Sequence, residues 1–182
     1  MMIVAVTGPN AAGKGEVTKH LISKGFRYFS LSDVIRQELK QHGMPTNRTR
    51  MTETGACLRR TFGAGVLATR IQPQLVDRSV VDSIRHPEEV AVLRQAGDLL
   101  LIGVTAPASL RLDRTRQRGR PGDTKELEAF LAEEAAQNSA DPEGQRIADC
   151  LAMADATIIN TGTVHRLHQE VGRLLKERFG IV

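Results

Sequence analysis

Aromatic residues are scarce in this 182-residue chain, which has five phenylalanines, one tyrosine and no tryptophan. That scarcity argues against an aromatic platform for stacking single-stranded nucleic acid. Only two cysteines occur, Cys57 and Cys150, far apart and without metal-ligand spacing. Free thiols in a reducing cytosol are therefore expected rather than a disulfide or a zinc site. No apolar run approaches the ~18 residues of a membrane span, and Met1-Met2 leads directly into strand-like sequence. Neither a membrane span nor a leader peptide is expected. Internal repeats, low-complexity tracts and linkers are also missing, so one domain with a sizeable core is the expectation. Arginine is plentiful. The chain carries a net charge of +4 with a pI near 9.4, which fits either a solvated basic surface or a cleft for phosphates.

The residues Gly8-Pro9-Asn10-Ala11-Ala12-Gly13-Lys14 read G-x-x-x-x-G-K. Before them, Ile3-Val4-Ala5-Val6 is a short β-branched apolar run suited to a buried parallel strand. After them, Gly15 to Lys24 places Val17, Leu21 and Ile22 on one helical face. Strand, glycine loop and helix form the context of a phosphate-binding P-loop. There, loop N–H groups and the helix N-terminus point at anionic oxygens and the lysine reaches the β/γ-phosphates. Gly8, Asn10, Ala11, Ala12, Gly13, Lys14, Gly15 and Glu16 are the candidate nucleotide-binding residues.

Strand-like runs recur at residues 3–7, 27–30, 79–82, 99–104 and 156–160, separated by helical patterns. The expected fold is α/β: a P-loop NTPase with a five-stranded parallel sheet and helices on both faces. Val164, Leu167, Val171, Leu174 and Leu175 mark the last helix. Two stretches exceed a simple crossover. Residues 31–75 have room for three helices, broken at His42–Pro45 and Gly63–Gly65. Residues 118–155 open with Gly119-Arg120-Pro121-Gly122-Asp123 and continue as two short helices split near Asp141-Pro142. Both read as insertions into a single domain spanning 1–182.

With this loop, these insertions and this sheet, the chain resembles nucleoside-monophosphate-kinase-type P-loop proteins over nearly its whole length. Adenylate kinases, deoxynucleoside monophosphate kinases and dephospho-CoA kinases share the likeness. The resemblance implies ATP and Mg²⁺ as cofactors and a small-molecule nucleotide acceptor, with no nucleic acid or membrane partner. It also implies an acceptor-binding insertion at 31–75 and a lid at 118–155. The chain departs from the pattern at Gly15-Glu16, because most P-loop proteins place a Mg²⁺-binding Ser or Thr directly after the lysine. Any Mg²⁺ must then be held by phosphates and waters. Glu16 either faces those waters or a basic partner, or it is a solvated first-turn acid complementing the helix dipole.

Asp82 ends the apolar run Ser79-Val80-Val81, where ligands gather in open α/β sheets, and Arg85 follows three residues later. The resemblance implies that Asp82 orders Mg²⁺ waters and Arg85 grips the acceptor phosphate; capping a helix that starts near Pro87 is the plainer alternative. Asp33 and Arg36 form a second candidate pair for the acceptor, with Ser32 read as an N-cap. In dephospho-CoA kinases an acidic pair here can help activate a hydroxyl, and only Asp33 of that pattern is present. Arg111, Arg114 and Arg118 share a helical stripe, flanked by Arg116 and Arg120, with Asp113 and Asp123 as candidate neutralising acids. The resemblance assigns lid arginines of this kind, Arg114 and Arg118 among them, to the triphosphate, beside Lys14 and Arg85. The segment Ala154 to Thr163 resembles the last strand and turn of dephospho-CoA kinases. That likeness puts Asn160 and Gly162 beside the adenine, while Thr163 also reads as the cap of the last helix. The expected activity is phosphoryl transfer from ATP to a (deoxy)nucleoside monophosphate or similar phosphorylated acceptor. Dephospho-CoA kinase, with Asp33 as base, is the nearest alternative, and a non-catalytic ATP-binding regulatory module is another.

Overall fold

The computed structural model describes residues 1–119, 123, 126–136, 138, 141 and 143–181. Its centre is β1 (Met2–Thr7), whose residues from Ile3 onward are all buried. An apolar strand with no polar face must be covered on both sides, and this one is. Ile3 and Ala5 join a core with Leu99 and Leu101, while Val4 and Val6 join an opposite core with Leu100 and Ile102. The alternation is the period of a strand serving two layers of helices.

The sheet is wholly parallel, with β2 (Arg27–Ser30), β3 (Ser79–Ile84), β4 (Asp98–Thr105) and β5 (Ala156–Ile159) in the order β2-β3-β1-β4-β5. On one face lie α1 (Lys14–Ser23) and α9 (Val164–Phe179). The other face carries α2 (Leu31–Gln41), α3 (Arg48–Phe62), α4 (Val66–Ile71) and α5 (Pro87–Ala96). A 3₁₀ turn, Gln72–Gln74, closes the first long excursion. The second contains the end of α6 (Ala108–Arg118), then α7 (Leu127–Ala136) and α8 (Ile147–Ala152). The anticipated α/β sheet with two helical excursions is the observed fold. Arg120, Pro121, Gly122 and Pro142 of the sequence reading lie outside the described residues.

Several local expectations are corrected. Strand β3 runs two residues past Asp82, because Ile84 is still paired with Thr7 of β1. Helix α2 starts at Leu31 with Ser30 as its N-cap, so Ser32 lies inside the helix. Ile22 and Val164 are exposed: α1 buries Val17, Thr18 and Leu21, and α9 buries Leu167, Val171, Leu174 and Leu175. Thr163 does cap α9, accepting from the Arg166 N–H at 3.3 Å.

Candidate active site

The loop after β1 leaves the carboxyl edge of the sheet, where open α/β folds bind ligands. Gly8 has φ 135°, and a Cβ there would fall 2.0 Å from the Val104 carbonyl oxygen. Gly13 has φ 112° as the N-cap of α1, and a Cβ there would fall 2.2 Å from Asn160 Nδ2. A side chain at either place would push the loop off β4 or off the end of β5. Held there, the loop sets the N–H groups of Lys14 and Gly15 at the positive end of α1, ahead of the Glu16 and Val17 N–H groups that bond the Gly13 carbonyl.

Lys14 folds back along this loop, donating to the carbonyls of Gly8 and Pro9, both at 2.8 Å. Burial pulls its ammonium from the usual value near 10.5 to about 8. The negative charge of Asp82 opposes that fall, and Arg85, Arg111 and Arg118 reinforce it. An anion beside the ammonium would reverse the shift, since opposite charge favours the charged form.

The arginine stripe of α6 lies across the loop. Arg111 donates to the carbonyls of Ala106 (2.7 Å) and Asn10 (3.4 Å) and grips Glu134 of α7 with both terminal nitrogens. Arg114 donates to the carbonyls of Ala12 (3.4 Å) and Asn160 (2.9 Å). Arg118 pairs with Asp123 at 2.7 Å and reaches the side chain of Asn10 at 3.5 Å. Asp123 thus neutralises the stripe as expected, but Asp113 pairs outward with Arg116, and the main partner of Arg111 is Glu134. The side-chain amide of Asn160 donates to the Ala12 carbonyl at 2.8 Å and braces the loop. Gly162, with Asn160, borders a separate hollow of about 210 Å³ between β5 and α9. The Glu16 carboxylate pairs with Lys19 at 2.8 Å, away from the loop, and its backbone N–H donates to Gly13.

Beside the loop opens a cavity of about 370 Å³, within the usual size of a small-molecule site. Lys14, Arg36, Arg85 and Arg118 line it together with an apolar wall that includes Leu31 and Ile35. Asp33 pairs with Arg36, is largely exposed and is not among the lining residues. Asp82 accepts from the N–H of Ser83 at 2.6 Å, and Ser83 has φ 68°, a strained value for serine at the cavity edge. Neither Asp82 nor Arg85 caps α5. His86 does, with Glu89 completing a capping box. Arg85 donates to Gln145 at 2.9 Å, and its burial lowers its guanidinium pKa.

No family model matches the chain. A UPF0200 protein from Pyrobaculum aerophilum is 31% identical over 177 residues, covering 96% of this chain and 97% of the relative. The chain belongs to the UPF0200 family. Another UPF0200 protein, from Sulfurisphaera tokodaii, is 28% identical and covers 96% of both chains. Among solved structures, shikimate kinase from Bacteroides thetaiotaomicron matches with a TM-score of 0.61 at 13% identity, covering 96% of this chain and 98% of that one. A gluconokinase from Sinorhizobium meliloti matches with a TM-score of 0.54 at 14% identity, over 96% and 93% of the two chains. This UPF0200 chain therefore has a P-loop kinase-like fold, shared with shikimate kinase and gluconokinase; the matches do not single out the monophosphate-kinase family.

Among the polar contributors that sequence reading missed in the UPF0200 site, four carry a charged or amide side chain. Arg48 and Arg59 of α3 line the cavity, as does Gln145. Glu89 is wholly buried and bonds both the Arg59 side chain and the Arg85 backbone. The Glu three residues after His86 is a readable capping signal, but nothing local in Leu58-Arg59-Arg60 tells which arginine turns inward.

Proposed function

We propose that this UPF0200 chain is an ATP-dependent nucleotide kinase acting on a (deoxy)nucleoside monophosphate or similar small phosphorylated acceptor. It is read as one cytoplasmic domain, 1–182, with an acceptor-binding insertion at 31–75 and a lid at 118–155. The observation that carries the reading is the cavity lining: Lys14, Arg36, Arg85 and Arg118 share it, and Asp123 is the one carboxylate among the described lining residues. Such a site suits two polyanions brought together. An acceptor phosphate arrives already anionic, so the protein must align the partners and offset their repulsion rather than remove a proton. The loop N–H groups and Lys14 hold the donor phosphates, Arg118 exchanges Asp123 for phosphate oxygens, and Arg36 and Arg85 hold the acceptor. Arg114 and Asn160 keep the loop in register by bonding Ala12.

Magnesium fits this donor set without a protein cage. No group of three or more His, Cys, Asp or Glu residues gathers to hold a metal among the described residues, and space beside Gly15 is open to at least 4 Å from a Cβ position. Nucleotide-bound Mg²⁺ keeps several waters and takes phosphate oxygens. Asp82, close enough to Lys14 to act on its charge, would hold such waters, and the ion would supply charge neutralisation.

A hydroxyl acceptor would need a base, and Asp33 is engaged by Arg36 outside the cavity lining, which favours the phosphate acceptor. The test is ADP release from Mg²⁺-ATP with a panel of nucleoside and deoxynucleoside monophosphates and dephospho-CoA. At least one monophosphate is expected to raise ADP formation well above the acceptor-free rate. ATP binding with no acceptor-dependent ADP would leave a nucleotide-binding module, and response to dephospho-CoA alone would transfer the assignment.

A further inference from the structure

Arg59 lines the cavity yet has no part in the chemistry above. It sits on α3 at 4% exposure, and its Nη2 donates to Glu89 Oε1 at 2.9 Å. Its Nε is shut from solvent and has no hydrogen-bond partner among the described residues. A buried donor without a partner carries its full desolvation cost, so native structures rarely leave one.

The reason for the orphan lies in how Glu89 is used. An arginine held only for a structural ion pair commonly meets its carboxylate in a fork, two N–H groups on two oxygens. Here Glu89 gives Oε1 to Arg59 and Oε2 to the backbone N–H groups of Arg85 (2.8 Å) and His86 (3.1 Å). Arg59 is therefore anchored at one end with a donor to spare. Gly55, one turn earlier on α3 and also a lining residue, has no side chain to cover the guanidinium. A Cβ there would stand 3.5 Å from Nη1.

We infer that Arg59 is an acceptor-binding residue, whose guanidinium takes an anionic oxygen of the acceptor at the Nη1 end that faces Gly55, beside Arg85. Glu89 is a positioning residue that sets Arg59 and the Arg85 backbone with one carboxylate. The inference rests on the kinase reading and specifies how the acceptor is held: by an anionic oxygen, phosphate or carboxylate, presented to two adjacent guanidiniums.

The test uses the full chain saturated with the non-hydrolysable ATP analogue AMPPNP. Wild type and Arg59→Lys are titrated calorimetrically with inorganic phosphate, acetate and the four ribonucleoside 5′-monophosphates. Arg59→Lys keeps a cation for Glu89 but loses the guanidinium donor at Nη1. Affinity for the tightest anion is expected to fall roughly 10- to 100-fold, as for a lost hydrogen bond to a charged group. AMPPNP affinity should stay within about twofold, since Arg59 makes no bond to the loop. The preference for phosphate or acetate in wild type identifies the oxygen's source. Glu89→Gln, which keeps an oxygen for the two backbone N–H groups, should show a smaller loss of the same kind. If Arg59→Lys is poorly folded, Arg59→Met/Glu89→Gln removes both charges together and is read in the same way. Unchanged anion affinity in a folded Arg59 variant would overturn the inference. So would the absence of any anion binding to AMPPNP-loaded wild type. Failure of AMPPNP itself to bind wild type would instead overturn the kinase reading.

Discussion

Lys14 concentrates the chemistry of this site in one ammonium, and its surroundings make it sensitive to pH. Lys14→Ala is expected to lower phosphoryl transfer at least about 100-fold while the protein still folds, because the side chain contributes charge rather than apolar packing. Its pKa near 8 in the folded protein lies below the unfolded value of about 10.4. The unfolded chain thus binds the extra proton between these pH values, and Lys14 contributes stability that is present above the unfolded pKa and lost as pH falls to about 8. Nucleotide binding has the opposite slope, since phosphate prefers the charged form. ATP affinity should be level below about pH 8 and fall above it by at most about tenfold per pH unit. Titrations at pH 7 and 9 check this, and the fall should vanish in Lys14→Met. The acceptor side has its own test in Arg36→Ala, Arg85→Ala and Asp33→Asn, assayed with saturating ATP. The two arginine variants should raise acceptor KM strongly, while Asp33→Asn, which only unpairs Arg36, should cost on the order of 1 kcal/mol. A kcat collapse confined to Asp33→Asn would instead mark a hydroxyl acceptor, because losing a general base costs roughly 100-fold or more.

Helices α6 and α7 show how one ion pair fixes an element. Arg111 and Glu134 are both largely buried, and Arg111 also holds the carbonyl of Asn10 in the loop. Glu134→Ala would leave a buried cation with only carbonyl partners and should cost about 3 kcal/mol, read as a lower denaturation midpoint. A shift below about 0.5 kcal/mol, the usual size for a surface change, would mean that the pair is not needed to dock α7. The stripe of Arg111, Arg114 and Arg118 was readable because helical spacing alone puts residues three and four apart on one face. The acid that answers it was not, since Glu134 lies 23 residues from Arg111. Capping behaved likewise. Thr163 could be read from sequence, but Ser30 takes the N-cap position of α2 without a side-chain capping bond, and its pairing with Asp82 across β2 and β3 decides where α2 begins.

The whole molecule brings its two excursions into contact over the cavity. Arg48 of α3 pairs with Glu133 of α7 at 2.6 Å, and Arg60 pairs with Glu143 at 3.5 Å. Both pairs are solvent-facing and worth at most about 1 kcal/mol each, so parting the excursions costs little. AMPPNP with a working acceptor should slow proteolysis within residues 118–155 several-fold, and high salt without ligand should speed it. Equal cleavage rates in all conditions would make this segment a fixed structural excursion. The strands, the P-loop and the helical stripes were legible in the sequence by itself, because each depends on neighbours within a few residues and on the period of a strand or helix. The sheet order, the bracing of Ala12 by Asn160 148 residues away and the inward turn of Arg59 onto Glu89 were decided by the tertiary structure. Those contacts exist only once burial removes water and forces each polar group to find whichever partner the packed chain has brought within reach.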